Sequence, residues 1–261
     1  MKTIGIIGAG NMGSAIASRI RHKYRVLICD SDTSKLTQLK RKYKIPAKSL
    51  GELVKASQVI ILAVKPQDFD TVLAEVKAHL DSSKLVVSIA AGITTLYIEK
   101  RLSGKTRVIR TMPNMPAQIG EGITAVARGQ YATPADVKLT GQIFNYVGQA
   151  VVVKEEMIDA ITAVSGSGPA YVFLFVECLL KAARAVGLDE KLARPLAMQT
   201  LLGSAHLLAQ SPDDAPTLRA KVTSKGGTTQ AAMDVFFDRK IDVIFVEALA
   251  AAKRRAKELS K

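Results

Sequence analysis

Short β-branched runs alternate with longer amphipathic stretches through the first half of the chain. The runs at 3–7, 25–29, 59–64, 85–89, 107–111, 124–127 and 150–153 are apolar at nearly successive positions, the pattern of strands buried on both faces. Segments with helical spacing separate most of them, and strands alternating with helices predict a doubly wound, parallel α/β sheet. From about Glu155 the texture changes. Ala, Leu and Met recur at i, i+3 and i+4 through 157–164, 170–186, 189–209, 216–222, 228–238 and 241–258, with hardly any strand signal. The sequence therefore predicts an α/β domain over 1–154 and an all-α domain over 155–261. Such an alanine-rich helical half commonly buries its faces against another copy of itself, so a homo-oligomer is expected.

Composition narrows this picture. A chain of 261 residues with 48% hydrophobic composition can bury a full core and is not of the disordered class. No apolar run reaches the roughly 18 uninterrupted residues of a membrane span, so no membrane association is expected. The lysine and apolar run at the N-terminus resemble a leader, and Ala15-Ile16-Ala17 resembles a cleavage site. The run is brief and passes into glycines, which fits a buried strand and its turn better. Cys29 and Cys178 each lie in an apolar segment without a metal-ligand spacing, so neither a disulfide nor a metal is expected and a cytoplasmic location is. The net charge of +14 raises nucleic acid as a partner. The densest basic stretches, 35–48 and 253–261, read instead as solvated helix faces with few aromatics between them, and a basic surface also speeds encounter with anionic small molecules.

The strongest local signal is Gly8-Ala9-Gly10-Asn11-Met12-Gly13, which follows a strand and opens a helix. Gly8 permits a tight turn, Gly10 permits backbone approach to a pyrophosphate and Gly13 permits close helix packing, as in dinucleotide-binding folds. A plain glycine-rich connection is the bland alternative. Asp30 ends the next strand where such folds place an acid for the ribose hydroxyls, leaning slightly to NADH; Ser31, Thr33, Ser34 and Lys35 beyond it could hold a 2′-phosphate, so NADPH stays open. A helix cap is the competing role in this segment, above all for Asp32 or Thr33. Val64, Lys65 and Pro66 close a third strand at the ligand edge of the sheet, where Lys65 is either a ligand contact or an ordinary surface lysine. Ala91, in the small-residue turn Ala90-Ala91-Gly92, permits close approach of a ring.

Three further segments stand out: Arg110-Thr111-Met112-Pro113-Asn114, Ser165-Gly166-Ser167-Gly168-Pro169-Ala170-Tyr171, and the glycine-threonine loop from Lys221 to Thr229. In the last, Gly226 and Gly227 precede a helix, whose exposed amides would receive a carboxylate; a start capped by Thr228 or Thr229 is the plainer reading, and the two are compatible. Together with GAGNMG and AVKPQ, these segments resemble the pyrroline-5-carboxylate reductase family along nearly the whole chain. Enzymes resembling six-phosphogluconate dehydrogenase share the dinucleotide half but lack SGSGPAY joined to SxGGTT.

The resemblance implies a Rossmann-type domain followed by a helical dimerisation domain. It implies reduction of 1-pyrroline-5-carboxylate to L-proline by hydride transfer from NADPH or NADH, in dimers that assemble into decamers. By position, Ser224, Gly227 and the amides of Thr228 and Thr229 would hold the substrate carboxylate, and the Thr229 hydroxyl the ring nitrogen. Glu155 matches an acidic position near the ligand, and Ala9, Asn11, Met12, Val64, Lys65 and Ala91 match cofactor contacts. Lys221 stands where an asparagine often meets the cofactor, Lys225 where proline is usual, and Leu50 near a usual asparagine. His22, His79 and His206 fall outside the motifs. A different substrate on the same fold, such as another cyclic imine, or a β-hydroxyacid handled with a catalytic lysine, is the second reading. A dinucleotide-sensing protein without turnover is the third.

Overall fold

A computed structural model describes residues 1–102 and 105–260. The strands are β1 (Thr3–Ile7), β2 (Arg25–Cys29), β3 (Val59–Leu62), β4 (Leu85–Ser88), β5 (Arg107–Met112), β6 (Gly122–Arg128) and β7 (Gly148–Val153). They form one sheet in the order β2-β1-β3-β4-β5-β6-β7, with reversal of direction on the two sides of β1, as expected of a doubly wound sheet. All pairings are parallel except β5 with β6. The reversal follows from the connection: segment 113–121 holds only a short 3₁₀ turn, Met115–Ile119, too little chain for the crossover that a parallel neighbour requires.

Around the sheet lie α1 (Asn11–Ile20), α2 (Thr33–Tyr43), α3 (Leu50–Ala56), α4 (Phe69–Lys77), α5 (Thr95–Arg101) and α6 (Pro134–Phe144). Successive strand residues feed opposite cores. Ile4, Ile6, Ile28, Ile61 and Val87 pack with Ile16, Ile20 and Phe144 on one face; Ile7, Leu27, Ile60, Leu62 and Val86 pack with Leu53, Phe69, Leu73 and Ile98 on the other. This two-sided burial is why the strands read as continuous apolar runs.

The helical half contains α7 (Ile158–Ile161), α8 (Gly168–Ala185), α9 (Glu190–Gln210), α10 (Ala215–Lys221), α11 (Thr228–Asp238) and α12 (Ile241–Leu259). The helix expected over 157–164 ends early in a π turn, Thr162–Gly166. There Thr162 and Ser165 donate their hydroxyls to carbonyls four residues back, local bonds that compete with regular helix geometry. Gly166 faces the Met112 side chain so closely that an added Cβ would lie 2.7 Å from its terminal carbon. The MPN and SGSGPAY segments thus meet as packing partners.

Composition changes at Glu155, whereas packing divides the chain elsewhere. One compact unit is Met1–Pro169 with Ala251–Lys261, the other Ala170–Ala250. The reason is that Ile158 and Ala163 are buried, Ile158 against Ala125 and Ala127 of the sheet. The second unit has little core of its own: Val172, Phe173, Leu174, Phe175, Phe236, Phe237 and Phe245 are all exposed. Glu155–Ala185 is long and apolar enough to cross a membrane by length and composition alone, although charge interrupts it and no uninterrupted apolar run reaches that length.

Candidate active site

The carboxyl ends of β1, β2 and β3 converge on the glycine turn. Gly8 has φ +109°, and a Cβ there would lie 2.5 Å from the Ala63 carbonyl oxygen at the end of β3; a Cβ on Gly13 would run into the Gly8 carbonyl. Both positions demand glycine for close packing. Gly10 differs, since a Cβ there would meet nothing within 4 Å. The open space beside Gly10 is therefore on the ligand side of the turn.

Gly10 is also the N-cap of α1, and no side chain bonds to the first amides of that helix. The same arrangement recurs at α11, whose N-cap is Gly227, again without a side-chain bond. The other helices that begin from extended backbone are capped by Asp32, Ser49, Thr94, Thr133, Asp189 and Asp214. The expected Thr228 or Thr229 cap is not formed. Bare helix N-termini carry unpaired N–H groups and the positive end of the helix dipole, which suit an anion.

Asp30 accepts the amide of Ala9 at 2.5 Å on one oxygen and the amide of Asp32 at 2.8 Å on the other. It ties the end of β2 to the glycine turn, with lone pairs still free for a further donor. The helix cap in this stretch is Asp32, which accepts from Ser34. A cleft of about 650 Å³ runs along this edge, lined by Gly8, Gly10, Asp30, Ser31, Lys35, Leu50, Val64, Lys65 and neighbours. Ala9, Gly10 and Asn11 line an adjoining hollow. Pro66 opens the 3₁₀ turn Pro66–Asp68 beside it, while Met12 is half-buried against the core under α1. Cys29, in the same cleft, has its thiol pushed up first by burial and then by the charges of Glu75 and Asp30, which makes it a poor nucleophile.

Ala91 sits in the turn after β4. Its neighbour Gly92 has φ +73° and abuts the end of α12, where a Cβ would lie 2.5 Å from the Leu259 carbonyl oxygen. Glu155 reaches this region: it accepts the Thr95 amide at 2.8 Å and the Thr95 hydroxyl at 2.6 Å, and Arg110 stands 3.4 Å away. Thr95, Asp159 and Ser260, which join Arg110 and Glu155 in one polar cluster, carried no sequence signal.

In the second unit, Ser224 and Gly227 form a tight turn, with the Gly227 amide donating to the Ser224 carbonyl at 3.0 Å, and Gly226 has φ +70°. Thr228 and Thr229 then open α11. Lys221, expected at the cofactor, pairs with Asp213 and is largely exposed, as are Ser224 and Lys225. Among the described residues no cluster of His, Cys, Asp and Glu could hold a metal ion.

Comparison with known proteins agrees with this layout. Residues 155–259 match the family described as "Pyrroline-5-carboxylate reductase dimerisation", and residues 3–92 match "NADP oxidoreductase coenzyme F420-dependent". The chain is 39% identical to a pyrroline-5-carboxylate reductase of Methanosarcina acetivorans, covering 99% of this chain and 98% of that one. It is 36% identical to the Mycobacterium tuberculosis reductase, covering 99% and 97%. Among solved structures, a Coxiella burnetii pyrroline-5-carboxylate reductase superposes with a TM-score of 0.93 at 36% identity, covering 100% and 99%. A Plasmodium falciparum pyrroline carboxylate reductase with NADP bound gives 0.89 at 30% identity, covering 100% and 98%.

Proposed function

This chain belongs to the pyrroline-5-carboxylate reductase family, and from that premise we propose how its residues divide the work of reducing 1-pyrroline-5-carboxylate to L-proline with NADPH or NADH. The bare N-termini of α1 and α11, each entered through a glycine, carry the proposal. One anion site serves the dinucleotide and the other the substrate carboxylate.

The open side of Gly10 and the amides opening α1, with Ala9, Asn11, Met12 and Gly13 forming the turn, accommodate the pyrophosphate. Asp30 and Ser31 lie where the adenosine ribose belongs, and Val64, Lys65, Pro66 and Ala91 border the path toward the reacting ring. When bound, the nicotinamide supplies the hydride for the carbon of the C=N bond.

Ser224, Gly227 and the amides of Thr228 and Thr229 hold the carboxylate at the start of α11. This anchors the small ring at one end, and the Thr229 hydroxyl accepts a hydrogen bond from its protonated nitrogen. An imine takes up hydride best when protonated, so a hydrogen bond that keeps the N–H in place favours the reaction, and orientation supplies most of the remaining acceleration. No strong acid is required. The competing lysine-assisted chemistry is less well supported, because Lys221 is already paired with Asp213.

The exposed aromatic and aliphatic faces of the helical half bury against a second copy of the chain, in keeping with the dimerisation family that it matches. Assembly of such dimers into a decamer, a cytoplasmic location, and independence from membranes and nucleic acid complete the reading. They are supported by the resemblance, by the free Cys29 and Cys178 and by the dispersed basic charge. The decisive experiment is a steady-state assay of purified protein with 1-pyrroline-5-carboxylate and each cofactor. Consumption of the reduced nicotinamide absorbance with formation of proline is expected; binding of cofactor without turnover would overturn this substrate and leave another substrate or the sensing role.

A further inference from the structure

Resting on the cofactor placement above, we propose that Arg110, Glu155 and Thr95 form a positioning unit that sets the turn carrying Ala91 and thereby tunes cofactor affinity and turnover. Residues 90–93 leave β4 as a loop: the Ala90 amide reaches the Ser88 hydroxyl at 3.2 Å, and Gly92 occupies a conformation that side chains disfavour. Order is imposed at the far end of this turn. Thr95, only 4% exposed, gives both its amide and its hydroxyl to the two oxygens of Glu155. Bonds of this charge-assisted, two-point kind fix orientation as well as distance.

Glu155 is held in turn by Arg110. Pairing of β4 with β5 sets Arg110 opposite Ser88, and the neighbouring Thr111 hydroxyl bonds to the Ser88 carbonyl at 2.9 Å, so the arginine is anchored to the strand that delivers the turn. Its side chain is 3% exposed and lies between two carboxylates, 3.4 Å from Glu155 and 3.5 Å from Asp159. Asp159 also accepts the Ser260 hydroxyl at 3.3 Å. The end of α12 therefore holds the same turn twice, through Asp159 and through the contact of Leu259 with Gly92.

Both ion-pair distances exceed the roughly 2.7–2.9 Å of a tight charge-assisted bond, and the buried Nε and Nη2 of Arg110 have no hydrogen-bond partner among the described residues. A guanidinium serving stability alone would spend those donors, since each one left buried and unpaired is costly. Loose bonds that tighten only in the loaded enzyme are common around active sites. Glu155 on this account acts through Thr95 and does not touch the substrate.

The test compares Thr95→Val, Thr95→Ser and Arg110→Lys with the unaltered enzyme, by calorimetric titration with NADPH and by steady-state kinetics. Valine keeps the shape of threonine and loses the hydroxyl. We expect Thr95→Val and Arg110→Lys each to weaken NADPH binding and lower kcat about tenfold, with the KM for 1-pyrroline-5-carboxylate within about twofold of its original value, and Thr95→Ser to restore both. Arg110→Lys carries the test if the valine variant does not fold. A loss of melting temperature alone, with affinity and kcat intact, would overturn the proposal, as would a rise in substrate KM alone, which would put Glu155 at the substrate. The NADPH titration stands apart from the substrate assignment: if unaltered protein binds NADPH but turns over no imino acid, only that assignment fails.

Discussion

The carboxylate of Asp30 is bonded to the amide of Ala9, 21 residues earlier in the chain, at 2.5 Å. An acid at this position is ordinarily taken to distinguish NADH from NADPH through the ribose 2′ position. Here its first task is to hold the glycine turn, with its other oxygen on Asp32. Removing it should therefore disturb the site shared by both cofactors. We expect Asp30→Ala to raise the KM for NADH and for NADPH by similar factors, on the order of tenfold. Parallel assays decide the matter: a selective loss with NADH would show that the carboxylate reads the ribose.

The glycines of the same turn should separate folding from binding. A methyl group on Gly13 would enter the Gly8 carbonyl, and the backbone there has no slack, so Gly13→Ala should lower the melting temperature by roughly 5 °C or more. Gly10 already has a backbone conformation open to alanine, φ −67° and ψ −175°, and space around it. Gly10→Ala should melt like the unaltered protein yet bind NADPH at least tenfold more weakly, because the methyl occupies the space on the ligand side. Thermal unfolding with and without NADPH reads both effects.

At the other bare helix end, Thr229→Ala should lower kcat/KM by about 10- to 100-fold, the cost of one hydrogen bond to a charged group. Thr229→Ser retains the hydroxyl and should recover most of the loss. The melting temperature should hardly move, because no side-chain bond of Thr229 caps α11. Equal kcat/KM in the alanine and serine variants would remove the hydroxyl from the reaction.

Self-association can be probed where apolar side chains lie bare. Phe175 is 53% exposed and Phe245 55%, far more open than isolated aromatic residues need to be, and they recur on α8 and α12 with Phe173 and Val246. A charge in such an interface is costly to bury. Phe175→Asp and Phe245→Asp should each shift the protein to smaller species in sedimentation velocity, whereas Lys40→Asp on the solvated face of α2 should not.

Where a signal depended on local rules, the sequence was legible. Every strand expected from β-branched runs is present; most are buried on both faces and their runs are correspondingly pure, while β7 at the sheet edge leaves Val152 exposed. The glycine role at 13 follows from the turn's own backbone and is equally local, whereas Gly8 is confined by its positive φ and by the distant Ala63 carbonyl. The antiparallel step into β6 was not legible, since direction there depends on the reach of segment 113–121 and not on the strand's composition. The start of α7 was expected one residue early, and its π turn was missed, as the hydroxyl bonds of Thr162 and Ser165 depend on the carbonyls that they find. The pairing of Lys221 with Asp213 was not legible, because Asp213 lies eight positions away, before α10 begins. Glu155 joins Thr95 across 60 residues, a distance at which side-chain patterns carry no information.

Glu99 provides a prediction in pH. Its side chain is 7% exposed, accepts the Gln130 amide at 2.8 Å and has its pKa raised above the ordinary 4.5, chiefly by burial. The Gln130 and Tyr131 amides pull the other way, and the nearby charge of Glu155 adds to the rise. The folded protein thus binds this proton more firmly than the unfolded chain, so stability declines as pH climbs from the unfolded value through the folded one. Glutamine at this position can still accept the amide and carries no charge to bury. Glu99→Gln should match the original protein near pH 4, where the carboxyl is protonated in both states, and should exceed it near pH 8. Melting temperatures of the two proteins at both pH values test this directly. A gap that does not widen with pH would mean that ionised Glu99 is stabilised by its amides as fully as water would stabilise it, contrary to a raised pKa.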